Sequence, residues 1–133
     1  MVFSAGRAEI ASASSETLMR FGANYAPLVR EGQLHRLIAS MFLHIGLLHL
    51  CLNAAALVSI GPTLERDYGR FTFVAIYLAS GLAGSVASVL WHFASPVVSA
   101  GASGALCGAI AAGAVYAHHA RRPAEMRMLL AWA

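Results

Sequence analysis

Three stretches of the chain carry no Asp, Glu, Lys or Arg: Leu37 to Ile60, Phe71 to Ala94 and Val97 to Ala117. A helix needs about twenty such residues, at about 1.5 Å each, to cross a hydrocarbon core of about 30 Å. The pattern therefore predicts membrane-spanning helices over about 47–66, 71–94 and 101–119. Between the first two, Gly61 to Arg70 holds Glu65, Arg66, Asp67 and Arg70 and reads as a hydrophilic connection. Ser95 to Ala100, with Pro96, reads as a short uncharged turn. His118-His119-Ala120-Arg121-Arg122-Pro123 closes the third helix, and another apolar run starts at Met126. Residues 1–36 are polar and mixed, with Phe21 to Pro27 punctuated as a turn, so they are expected to form an outer segment without a span.

Polar residues inside apolar runs are the next signal. Gly46 separates a lead-in segment bearing His44 from a helix that begins near Leu47 and is expected to end near Gly61-Pro62, or a turn later at Arg66. His49 and Asn53 stand four apart, on one face of that helix near its start. Intramembrane His or Asn alone usually bonds a neighbouring helix, but two on one face near one membrane surface favour a polar site. Ser103 lies in Gly101-Ala102-Ser103-Gly104 at the head of the third run, where Gly104, Gly108 and Ala112 recur every four residues as a seam for close helix packing. A serine in such a seam is more often packing than chemistry; only its surroundings decide.

Composition agrees with a membrane protein: 59% of the residues are hydrophobic and 11% charged. One structural unit is expected, with no linker and a partial membrane domain over residues 37–133. All nine basic residues are Arg and the net charge is +3, but no basic stripe with interleaved aromatics occurs, so nucleic acid is not an expected partner. Cys51 and Cys107 fall in apolar runs without a metal-binding spacing, and neither metal nor cofactor is expected. Met1 to Glu16 lacks the apolar core of a signal peptide. Loops 61–70 and 118–128 share one side and hold five arginines, which places them in the cytoplasm. The starts of the His49/Asn53 helix and of the Ser103 helix then meet at the outer surface.

A nucleophilic serine needs a base and donors for the oxyanion. Asn53 offers an amide NH2, His49 a ring N–H, and the head of the third helix a free backbone N–H at Ser103. Gly101 and Gly104 leave room for close approach of a substrate backbone.

Gly-Ala-Ser-Gly heading a span, preceded by Phe42 to Asn53 with His44, His49 and Asn53 in HxxxxHxxxN spacing, resembles the rhomboid intramembrane serine proteases. The likeness runs from about Leu18 to Ala133 and takes in Gly61 with Glu65 and Tyr77 with Ser80-Gly81. It implies an all-α polytopic transmembrane helix bundle whose three full spans correspond to the family's helices two, three and four. It implies Ser103 as nucleophile, His49 and Asn53 in the oxyanion hole, and support from His44, Gly101, Gly104, Arg36 and Glu65. Arg36 matches the arginine of the family's Trp-Arg pair; His35 stands in place of the tryptophan.

The family's first helix, and the sixth with its base histidine, have no counterpart here, so an incomplete core is expected. His118 lies fifteen residues past Ser103 on one helix, about 22 Å away, and is no substitute. The resulting expectation is a multi-pass protein of the plasma or inner membrane if bacterial, with its site extracytoplasmic and transmembrane proteins and the lipid bilayer as partners. This chain alone is not expected to cleave at a useful rate. The alternatives are a non-catalytic rhomboid-like protein that binds transmembrane helices, and a three-helix module whose serine only packs. Nothing in the sequence sets an oligomeric state.

Overall fold

A computed structural model describes residues 12–94 and 97–133. The first eleven residues of the stretch read for a signal peptide, and Ser95-Pro96 of the expected turn, lie outside the described residues. The architecture is all-α. Three short helices, α1 (Ser15–Arg20), α2 (Ala26–Arg30) and α3 (Arg36–Ala39), lead through a 3-10 turn at Ser40–Phe42 into α4 (Leu47–Tyr68). Then come α5 (Arg70–Trp91), α6 (Ser103–His119) and α7 (Pro123–Leu130).

The charged stretch read as a connection is helical. α4 runs past Pro62 to Tyr68, and a single residue, Gly69 at φ 77, turns the chain into α5. Proline removes one helical hydrogen bond, but Ile60 and Leu64, on either side of it, are fully buried against α6 and α7 and hold the continuation in place. The charges at the end find partners: Asp67 accepts from Arg66 and Arg122 at 3.0 Å each, and Arg66 reaches Glu125 at 3.1 Å. Four charged groups thus tie the end of α4 to the α6–α7 corner.

α4 and α5 are each 22 residues and apolar enough to cross a membrane, about 33 Å at full length. Of α5 only Gly81 is buried, so its Leu and Val side chains form an outward apolar surface, which suits lipid rather than a soluble core. α6, at 17 residues about 26 Å long, packs against α4, α5 and α7. Small residues set the α5–α6 contact: a β-carbon on Gly84 would meet the Gly104 α-carbon at 3.3 Å, and one on Gly108 would run into Ser80. On its other side α6 gives Leu106, Ala109 and Ile110 to a core shared with Ala56, Ile60 and Leu64 of α4 and Leu129 of α7. Ala112 belongs to that side: Tyr68 Oη donates to its carbonyl at 2.8 Å.

The polar N-terminal segment is folded over one end of this bundle. Ser14 caps α1 by accepting from the Thr17 N–H at 3.1 Å, and Leu18, Ala23, Ala26 and Val29 are buried. Arg36 is only 8% exposed and works as an internal staple: Nη1 donates to the Met19 and Ala23 carbonyls at 2.8 and 3.1 Å, and Nε donates to Gln33 Oε1 at 2.7 Å.

Candidate active site

Ser103 is the first residue of α6 and is exposed. Two residues before it, Gly101 stands at φ 140, a conformation that side chains other than hydrogen rarely adopt. The His49 ring lies against it. A β-carbon on Gly101 would meet His49 Cε1 at 2.6 Å and Nε2 at 3.2 Å, so only glycine admits the ring there. His49 projects from the first turn of α4, whose N-cap Gly46 is fully extended. His49 is thereby set beside the loop that leads into Ser103.

Asn53 sits one turn further along α4. Its Nδ2 is buried and has no hydrogen-bond acceptor among the described residues. His44 packs its ring edge-on to His49, with centroids 5.5 Å apart. Burial, and to a lesser degree the neighbouring His49, hold the His44 imidazole below its usual value near 6.5, against a backbone hydrogen bond at Phe42 that raises it.

The Ser103 loop is held from the other side by Ser40, Asn24 and Ser85. Gly101 N–H donates to the Ser40 carbonyl at 2.9 Å. Asn24, 2% exposed, exchanges both backbone hydrogen bonds with Ser99 at 2.9 Å, and its Nδ2 donates to the Ser85 carbonyl at 2.8 Å. In the sequence Asn24 reads only as turn punctuation within Phe21 to Pro27, since one Asn in a polar segment carries no periodicity. The arginine staple connects here too, because Arg36 binds the carbonyl of Ala23, the residue before Asn24.

A cavity of about 200 Å³ opens beside Ser103, walled by Asn24, Ser40, Ser85, Ser88, Ser99 and Gly101. Ser88 and Ser99 hydroxyls lie 3.1 Å apart, while Asn24 Oδ1 is buried without a donor among the described residues. Its size and polar walls suit water.

Of the residues expected at the site, Gly101, His49 and His44 are in one contact cluster, with Asn53 a turn below His49 and Ser103 and Gly104 on the wall of the cavity. Arg36 stands behind the loop. Glu65 is elsewhere: it lies sixteen residues beyond His49 on α4, about 24 Å along the axis, and accepts from Arg70 Nε at 2.9 Å.

A rhomboid domain model matches residues 31–132. The chain is similar to the Rhomboid protease GluP of Bacillus subtilis, with 46% identity over 101 residues that make up 76% of this chain and 19% of that protein. It is 44% identical over 99 residues to RHOMBOID-like protein 5 of Arabidopsis thaliana, which is 74% of this chain and 32% of that one. Rhomboid-like protease 1 of Toxoplasma gondii is 38% identical over 80 residues, 60% of this chain and 27% of its own length. These matches span about a fifth to a third of the relatives' lengths, 19% to 32%. No solved structure matches the chain. With the domain match over most of its length and these identities, the chain belongs to the rhomboid family.

Proposed function

We propose that this chain carries the nucleophile and the oxyanion-stabilising groups of an intramembrane serine endopeptidase. Ser103 Oγ attacks the scissile carbonyl of a transmembrane substrate; the amine leaves as the acyl-enzyme forms, and water then releases the acid. Asn53 Nδ2, a ring N–H of His49 and the backbone N–H of Ser103 receive the oxyanion. The observation that carries this reading is the packing of His49 on Gly101, which joins the Asn53 face of α4 to the loop before Ser103. The unspent Asn53 donor supports it, and the hydroxyl-lined cavity supplies a place for the hydrolytic water.

His44 orients His49, Gly101 and Gly104 keep the approach open, Arg36 fixes the outer segment, and Glu65 anchors the far end of α4. The site end is extracytoplasmic in a multi-pass arrangement, since Arg66, Arg70, Arg121 and Arg122 gather at the opposite end. Neither His118, about 22 Å along α6, nor His49, which serves the oxyanion, takes the Ser103 proton. Under this reading the Ser103 proton goes to a base other than these two histidines. The test uses membranes holding the product of the whole gene and a labelled transmembrane substrate. Ser103→Ala abolishes cleavage under this reading, and cleavage undiminished by Ser103→Ala rejects it.

A further inference from the structure

At the end of the bundle away from Ser103, α6 finishes in a tight turn. Arg122 N–H donates to the Ala117 carbonyl at 2.8 Å and Arg121 N–H to the His118 carbonyl at 3.1 Å. This pairing closes a helix with one left-handed residue, a place that glycine usually takes. Here it is Arg121, at φ 56, the one non-glycine with positive φ among the described residues. For the backbone, arginine is the poorer choice. What it adds is a cation at the mouth of a cavity of about 300 Å³ lined by Ala117, His118, Arg121, Arg122, Pro123 and Met126.

No carboxylate lines that cavity. The nearest acidic groups, Asp67 and Glu125, are already matched by Arg66 and Arg122, two charges against two. Arg122 is further fixed over the Tyr116 ring, 5.9 Å from its centroid. Arg121 forms no ion pair among the described residues and is exposed. The corner therefore presents an uncompensated positive charge beside the apolar surfaces of Pro123 and Met126, at the level where the membrane-crossing helix α4 ends.

We propose that this corner is a binding site for the headgroup of an anionic phospholipid. The phosphodiester pairs with Arg121, with His118 and the fixed Arg122 at the rim, while the glycerol and first methylenes lie over Pro123 and Met126. A free phosphate has no use for those apolar walls, whereas a lipid at this depth meets both. The site stands independently of the reading of Ser103.

The test is native mass spectrometry of the detergent-solubilised protein titrated with dioleoyl phosphatidylglycerol or dioleoyl phosphatidylcholine. Phosphatidylglycerol is expected to bind more tightly, and Arg121→Gly to weaken it about fivefold while leaving phosphatidylcholine unchanged. Glycine suits φ 56, so Arg121→Gly does not lower the thermal midpoint; Arg121→Asn, also tolerant of that conformation, gives the same loss. Arg20→Gln removes one charge at the opposite end and has no effect. Equal binding of the two lipids, no loss in the Arg121 variants, or an equal loss in Arg20→Gln would overturn the proposal. So would displacement of phosphatidylglycerol by millimolar inorganic phosphate, which marks a site for free anions.

Discussion

The imidazole of His49 rests on the α-carbon of Gly101, with no space between them for a methyl group. One contact therefore couples the start of α4 to the loop that delivers Ser103. Gly101→Ala should cost about 2–4 kcal/mol, combining an unfavourable φ of 140 with overpacking against the ring. Adding His49→Ala should return the overpacking share, about 1–3 kcal/mol, and leave the backbone share. Thermal unfolding of the two single variants and the double variant in detergent measures the coupling, and simple additivity would show that the contact is absent.

Asn53 separates a chemical role from a structural one. Its Nδ2 has no acceptor among the described residues, so Asn53→Ala removes no visible hydrogen bond from the fold. The thermal midpoint should stay nearly constant while substrate cleavage by the product of the whole gene falls ~10²–10³-fold. A large fall in stability with the same turnover per folded molecule would make Asn53 a packing residue.

Asn24 makes the opposite prediction. Its side chain joins the N-terminal segment to Ser85 while its backbone pairs with Ser99. Asn24→Ala should cost about 1 kcal/mol and loosen the loop before Ser103. Hydrogen exchange should speed up at the Ser99 and Gly101 amides and remain unchanged at the α6–α7 corner.

His44 introduces a pH dependence. Because its folded pKa is depressed below the usual value near 6.5, the neutral ring is the form the fold accepts. Its contribution to stability is complete above that value and is lost as pH falls through the folded pKa. Thermal midpoints measured from neutral to mildly acidic pH should decline in the wild type, and His44→Gln should flatten the decline.

Much of the fold was legible because a membrane helix has to be continuously apolar. The all-α class, the membrane setting and the family all followed from the runs around His49, Tyr77 and Ser103. What escaped depends on partners distant in sequence. Arg66 and Asp67 look like loop residues until Arg122 and Glu125 are brought against them, and then the helix continues to Tyr68. The short helices of residues 15–39 have too few turns for a periodic signal. Asn24 is hidden for the same reason as any single buried polar residue: its partners, Ser85 and Ser99, lie on other segments.

The central claim is that Ser103 is a nucleophile served by the groups on α4, and covalent capture tests it most directly. The product of the whole gene is treated in membranes with a fluorophosphonate, and the site of the adduct is mapped by mass spectrometry. The account predicts a single adduct on Ser103, formed more slowly in Asn53→Ala. An adduct on another residue, or labelling that survives Ser103→Ala, would contradict it.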